Sequence, residues 1–365
     1  MIKRVLFFLM ICSGFLFAQE PKSALTLDVH NFYGTILKHN PDITHLITGH
    51  PSGLIVAAQR KTYGEKEWQR LYNYPDYGAS FIYNDLDNEF LGSAAGLYLH
   101  YNFYFFNRNL LFRVGQGIAY TATPYHIDDN FRNIAHGSHL LSSTYFLLNY
   151  KRSNLIDRFG LQAGLGVVHY SNANFKAPNK STNTFIFNAG ITYSLEAQSD
   201  QNYIAKETGL VKGAEPMGFG FLVRSGINES DVVGSGQLPF LTLTAFADKR
   251  LNKKSAIQIG AELFFSKALE RYIDFRATGR FNDGTTGDED AKRAGAFIGH
   301  ELRINKLSIL TQLGYYFYYP YDFEGNVYNR MGLQYYISKN LIGGVSVRSH
   351  AAKAEAVEFS IGYRL

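Results

Sequence analysis

Cysteine is nearly absent from this 365-residue chain: the one cysteine, Cys12, lies in the apolar N-terminal segment. A disulfide framework is therefore excluded from the rest of the chain. Proline occurs nine times and tryptophan once. Beyond residue 18 there is no apolar run of the roughly 18 residues that a transmembrane helix needs. Strong charge of one sign is missing too. The formal charge of +5 falls to +3 without Lys3 and Arg4, too small to point to a nucleic-acid partner.

Aromatic residues are plentiful, with 26 Tyr and 29 Phe making up most of a 15% aromatic content. The N-terminus has the form of a secretory signal over residues 1–18. Lys3 and Arg4 precede an apolar stretch from Val5 to Phe17, and Ala18 offers a cleavage site before Gln19. Leu16 is larger than the usual residue three before a cut, which spreads the site over a few positions. Met10 and Ile11 ahead of Cys12 do not form a lipoprotein site. An exported chain rich in aromatics and free of cysteine suits a Gram-negative outer-membrane β-barrel. A secreted β-sandwich is the other class with this composition.

Alternation carries the fold signal. Phe159, Leu161, Ala163, Leu165 and Val167 oppose Gly160, Gln162, Gly164 and Gly166. At the C-terminus Val357, Phe359, Ile361, Tyr363 and Leu365 oppose Glu358, Ser360, Gly362 and Arg364. One apolar face and one small-or-polar face is the pattern of lipid outside and lumen inside. The runs predict an all-β, transmembrane, antiparallel up-and-down barrel of about sixteen strands, with fourteen as the alternative count. Short turns such as Asn107-Arg108 and Lys253-Lys254 alternate with long connections at 122–137, 172–182 and 267–292, which are expected to be external. The connections 64–75 and 197–216 are long on the other side. The polar 197–216 segment offers a division of the chain into two separate eight-stranded barrels as the alternative. A single closed sheet over 19–365 is nevertheless expected, because it leaves no open edge in lipid.

His169-Tyr170-Ser171-Asn172-Ala173-Asn174, followed by Pro178-Asn179, is the stretch with chemistry in it. Residues i and i+2 of a strand share a face, so His169 and Ser171 fall together. A His beside a Ser hydroxyl is the minimum unit of nucleophilic acyl transfer. Both continue the apolar register, so the pair is expected on the lipid-facing wall near the outer rim. On the next strand Phe185, Phe187, Ala189, Ile191, Tyr193 and Leu195 continue a series that starts at Asn183. A hairpin would bring Asn183 to the same rim. Polar groups facing hydrocarbon are costly, so the cluster calls for either an interfacial depth or a function.

This motif on a barrel strand resembles the lipid A 3-O-deacylase family (the PagL type), whose longer relatives are called acyloxyacyl hydrolases. The segment Thr62-Tyr63-Gly64, Trp68, Tyr74-Pro75 and Gly78 is similar to those longer relatives. The deacylase-like portion is 91–196. The resemblance implies Ser171 as nucleophile, His169 as general base and the side chain of Asn172 as an oxyanion contact, with Asn174 in the same turn. It implies lipid A of lipopolysaccharide as substrate, and no metal or cofactor. The chain departs from the family twice. The expected acid twelve residues after the Ser is Asn183, which holds a His tautomer but supplies no charge. A glycine expected after Ser-Asn-Ala is Asn174, the next most tolerant type at positive φ.

Other candidates are weaker. Asn133 and Gly137-Ser138-His139 lie near the same rim, where His139 is expected to be interfacial. His126 and His136 share a loop without ligand spacing, and Asp128 and Asp129 are expected to be solvated. Ser349 and His350 face opposite sides of a strand. Tyr315–Tyr319 suits an interface girdle. Asp283-Gly284 and Asp288-Glu289-Asp290 lack the spacing of a calcium loop. The alternative function class is a non-catalytic barrel, either a channel or an assembly component, since sixteen strands enclose an aqueous pore. Oligomeric state is open.

Overall fold

The computed structural model describes residues 24–195, 203–206, 216–278, 281, 283–351 and 353–365. The expected signal segment 1–18 lies outside these residues. The described residues form sixteen strands: β1 (Leu25–Ile36), β2 (Ser52–Arg60), β3 (Asp76–Asp85), β4 (Ser93–Phe105), β5 (Leu110–Thr121), β6 (Leu140–Ile156), β7 (Phe159–Ser171), β8 (Thr182–Ser194), β9 (Gly218–Asn228), β10 (Leu238–Arg250), β11 (Ser255–Ser266), β12 (Arg293–Ile304), β13 (Leu307–Tyr318), β14 (Val327–Tyr336), β15 (Leu341–His350) and β16 (Lys353–Arg364). Two helices, α1 (Glu67–Leu71) and α2 (Lys267–Arg276), lie in connections.

The strand count is as expected, but the single barrel is corrected. The sheet closes twice, as β1 to β8 and as β9 to β16. β1 pairs with β8 from Thr26↔Ser194 to Ile36↔Thr184. β9 pairs with β10 on one side and with β16 on the other. Either closure leaves no open edge in lipid, so the cost of an open edge does not choose between one barrel and two. The polar segment after Leu195 is therefore the connection between two barrels.

Eight strands enclose a space that side chains can fill, and both lumens are filled. In the first barrel Arg113 pairs with Asp28 at 2.5 Å and donates to Asn102 Oδ1 at 2.6 Å, all three fully buried. Toward the other end an apolar cluster that includes Phe32, Ile55, Tyr98, Tyr145, Val168, Tyr170 and Ile186 takes over. In the second barrel Arg330 bridges Glu262 at 2.9 Å and Glu358 at 2.5 Å. Arg293 pairs with Glu355 at 2.5 Å, and Arg224 with Glu262 at 3.0 Å. A buried charge without its partner costs about 3–5 kcal/mol, so these networks hold the inner faces in register. They also occupy the space that a channel would need.

The outer faces are apolar as the alternation requires. Leu97, Leu99, Ile118, Leu161, Phe187, Phe359 and Ile361 are all exposed. In the run Tyr315–Tyr319 only part faces out: Tyr315, Phe317 and Tyr318 are exposed, while Tyr316 is buried in the lumen. The long connections of both barrels share one end. There Ile36, Ile43, Leu46, Leu86, Leu91 and Ala135 cap the first barrel.

At the opposite end the segment 61–75 joins the barrels. Tyr72 donates to the Arg303 carbonyl at 2.7 Å, and Glu67 pairs with Lys253. Tyr203 of the connecting segment packs on Tyr63 and Tyr74, with ring centroids 5.5 and 4.6 Å apart.

Candidate active site

β7 inserts Val168 and Tyr170 into the apolar lumen. Strand alternation then turns His169 and Ser171 to the outer wall. In the β7–β8 hairpin His169 stands directly opposite Asn183, and His169 Nδ1 lies 2.7 Å from Asn183 Oδ1. With a carbonyl oxygen facing it, Nδ1 carries the proton and Nε2 the lone pair, the tautomer of a general base. The register of one hairpin thus brings His169 and Asn183 into contact, with Ser171 two residues further along β7.

Ser171 is nearly buried at 6% exposure, whereas His169 is partly exposed. Ser171 Oγ does not hydrogen-bond His169 in this arrangement. It donates to Asn179 Oδ1 at 3.1 Å and lies 3.0 Å from Asn179 Nδ2. It also accepts from the Ala173 N–H at 2.9 Å. The Asn172 N–H donates to Asn179 Oδ1 at 3.0 Å. An amide oxygen between a backbone N–H and the serine hydroxyl occupies the kind of position that a substrate carbonyl takes in acyl transfer. Asn179 closes the motif that begins at His169. Its contact with Ser171 crosses eight residues of loop, which periodicity does not report.

The Asn172 side chain is placed differently from the oxyanion contact expected of it. Its Nδ2 donates to Lys176 O at 2.7 Å and to Ser138 Oγ at 3.1 Å. Asn174 Nδ2 donates to the Glu229 carbonyl at 3.2 Å. Both side chains hold the turn, and the backbone N–H groups of Asn172 and Ala173 are the donors beside Ser171. Ala173 and Asn174 both have left-handed backbone, with φ of 50° and 64°, so Asn174 does adopt the conformation of the expected glycine. Gly137 makes room for the turn. A Cβ there would lie 2.5 Å from the carbonyl oxygens of both Lys176 and Pro178.

The neighbouring loop is structural. Asn133 Nδ2 donates to the carbonyls of Thr123 and Phe90, and its Oδ1 accepts from the His136 N–H. His136 is fully buried, with Nε2 3.0 Å from Thr182 Oγ1. Burial pushes its pKa down to about 3, with His169 a smaller contributor, so it stays neutral. His139 stacks on Tyr120 at 5.4 Å. His126 and Asp129 form an exposed pair. Among the described residues, no group of three or more His, Cys, Asp and Glu side chains is placed to hold a metal ion. In the loop after β11, Asp283 pairs with Arg276 and Glu289 accepts from the Thr286 and Gly287 N–H groups.

Two outer-wall features were not anticipated. Gln116, Ser142 and Thr144 extend the polar patch across β5 and β6. Ser142 lies opposite Ser171, and Thr144 opposite His169. Gln116 Nε2 donates to Ser142 Oγ at 3.1 Å. Further down β7 and β8, Tyr33, Ala163, Leu165, Phe187 and Ala189, together with Asn31 and Asn188, line a shallow, open depression of about 580 Å³. The signal for both was present in the register but spread over three or more strands.

Two family profiles match this chain. Residues 52–192 match Lipid A 3-O-deacylase (PagL), and residues 217–365 match Acyloxyacyl hydrolase, C-terminal domain. The boundary between them falls between the two barrels. No curated protein matches the chain. Among solved structures, a triple mutant of Rhodopseudomonas blastica porin is 8% identical over 94% of this chain and 100% of the porin, with a TM-score of 0.19. A second mutant of that porin is 10% identical with the same coverage and a TM-score of 0.18.

Proposed function

The chain belongs to the lipid A 3-O-deacylase family of ester hydrolases, and from that premise we propose that it removes one ester-linked acyl chain from lipid A in the outer membrane, with Ser171 as nucleophile. The observation that carries this reading is the 2.7 Å contact between His169 Nδ1 and Asn183 Oδ1, two residues from Ser171 on an apolar wall. A lipid-facing site fits a substrate that diffuses laterally to the barrel without leaving the leaflet.

The reaction begins when Ser171 leaves Asn179 for His169 Nε2. His169 takes the hydroxyl proton as Oγ attacks the ester carbonyl. The carbonyl oxygen replaces Asn179 Oδ1 at the N–H of Asn172. With the N–H of Ala173 and Nδ2 of Asn179, that N–H receives the negative charge that develops on the oxygen. Asn172 and Asn174 act through the turn they hold. The tetrahedral intermediate collapses, and His169 returns its proton to the departing sugar hydroxyl. Water, deprotonated by His169, then cleaves the acyl–Ser171 ester and releases a fatty acid. The acyl chain lies along the exposed Leu165 and Phe187 of the open depression below the pair, and Gln116, Ser142 and Thr144 face the sugar.

Purified protein mixed with lipid A in detergent micelles should release one fatty acid per lipid A. Mass spectrometry reads this as the loss of one acyl mass. An unchanged lipid A mass in the presence of folded protein would sink the reading.

A further inference from the structure

The turn that carries the nucleophile is tied to the second barrel. Glu229 follows β9 directly and is buried at 2% exposure. Its N–H donates to the Asn174 carbonyl at 3.0 Å, and its carbonyl accepts from Asn174 Nδ2 at 3.2 Å. Its carboxylate reaches further into the turn, where Oε2 accepts from the Ala177 N–H at 2.8 Å. Oε1 accepts from the Gly236 N–H at 3.2 Å, within its own loop. Gln237 Nε2 adds a bond to the Phe175 carbonyl at 3.0 Å. Asn228, the residue before Glu229, is anchored to the Glu355 carbonyl at 3.1 Å.

These bonds meet a turn that needs them. Ala173 and Asn174 are consecutive non-glycine residues in the left-handed region. Such backbone persists when its surroundings over-determine it. The barrels are joined independently at the opposite end by Tyr72 to Arg303 and Glu67 to Lys253. Asn174 also takes on a second meaning. Glycine would serve the backbone conformation, but only a side-chain amide reaches the Glu229 carbonyl.

We propose that the second barrel is a clamp on the nucleophile turn, with Glu229 as the positioning residue that fixes the donors beside Ser171. This rests on the esterase reading above. Glu229 touches no reacting atom. It acts through Asn174 and Ala177, which set where the N–H groups of Asn172 and Ala173 point. A displacement of about 1 Å in such groups costs on the order of 10²-fold in rate.

The test uses the full chain in detergent micelles, with Glu229→Ala, Glu229→Gln and Asn174→Gly, each checked for heat-modifiable gel migration. Glu229→Ala should lower kcat by about 10- to 10²-fold with KM nearly unchanged. Glu229→Gln should recover part of that loss, because one acceptor oxygen remains, and it serves if the alanine variant does not fold. Combining Glu229→Ala with Asn174→Gly should cost less than the product of the two losses, because both act on one turn. Hydrogen exchange at the Ala177 amide should speed up in Glu229→Ala. A folded Glu229→Ala with wild-type kcat and unchanged Ala177 exchange overturns the clamp, even if its melting temperature falls. If the wild type does not cleave lipid A, the esterase reading fails on its own, and Ala177 exchange alone decides the clamp.

Discussion

Ser171→Ala should abolish fatty-acid release from lipid A, and His169→Ala should cost nearly as much. The double variant should be little worse than either single one. A nucleophile and its base work as a unit, so removing one strands the other. Losses on the order of 10³- to 10⁶-fold are typical of such pairs. Neither change should disturb the barrel. Both side chains lie on the outer wall, and the adjacent lumen residues Val168 and Tyr170 are untouched. Release of fatty acid from lipid A in micelles measures the rate, and gel migration checks the fold. A Ser171→Ala protein retaining more than about a tenth of the rate would require another nucleophile.

Asn183→Glu should move the rate the other way, raising kcat on the order of ten-fold or more. The amide already does half of what an acid does. Its oxygen, 2.7 Å from His169 Nδ1, keeps the ring in the base-competent tautomer and in one orientation. It adds no charge as the ring becomes an imidazolium during proton transfer. A carboxylate supplies that charge in a site of low dielectric, where the attraction is strongest. Asn183→Asp conserves the contact distance most closely and controls for the longer reach of Glu. Asn183→Ala should lose activity, because nothing then fixes the ring. Kinetics of the three variants on one lipid A preparation decide the matter. A fall in kcat with both acidic residues would show that the amide is the functional group, not a weakened stand-in.

How far the structure could be read in advance depended on the range of each contact. Strand alternation is local, and it placed Phe159, Leu161, Ala163 and Leu165 outward and Gln162 and Gly166 inward correctly. The same register put His169, Ser171 and Asn183 on the outer wall, because a hairpin needs only a short loop to align its strands. Closure was out of reach. The pairing of β1 with β8 joins Thr26 to Ser194, and no local pattern distinguishes that edge from one that continues into β9. The fine structure of the turn was hidden for a related reason. Asn172 looked like a donor to substrate, but its amide is engaged by Lys176 and Ser138. Glu229 lies 58 residues beyond Ser171, in a loop with no motif of its own. The segment 61–75 is the part that receives Tyr203 of the connection and the second barrel.

Ser171 attacking an ester carbonyl from the lipid-facing wall can be caught in the act. Its most direct test is covalent. Protein in micelles is treated with a long-chain alkyl fluorophosphonate, digested, and the adduct located by mass spectrometry. The account predicts one phosphonyl group per chain, on Ser171, slowed strongly by His169→Ala and absent in Ser171→Ala. Label on another residue, or unlabelled Ser171 in protein that still deacylates lipid A, would contradict it.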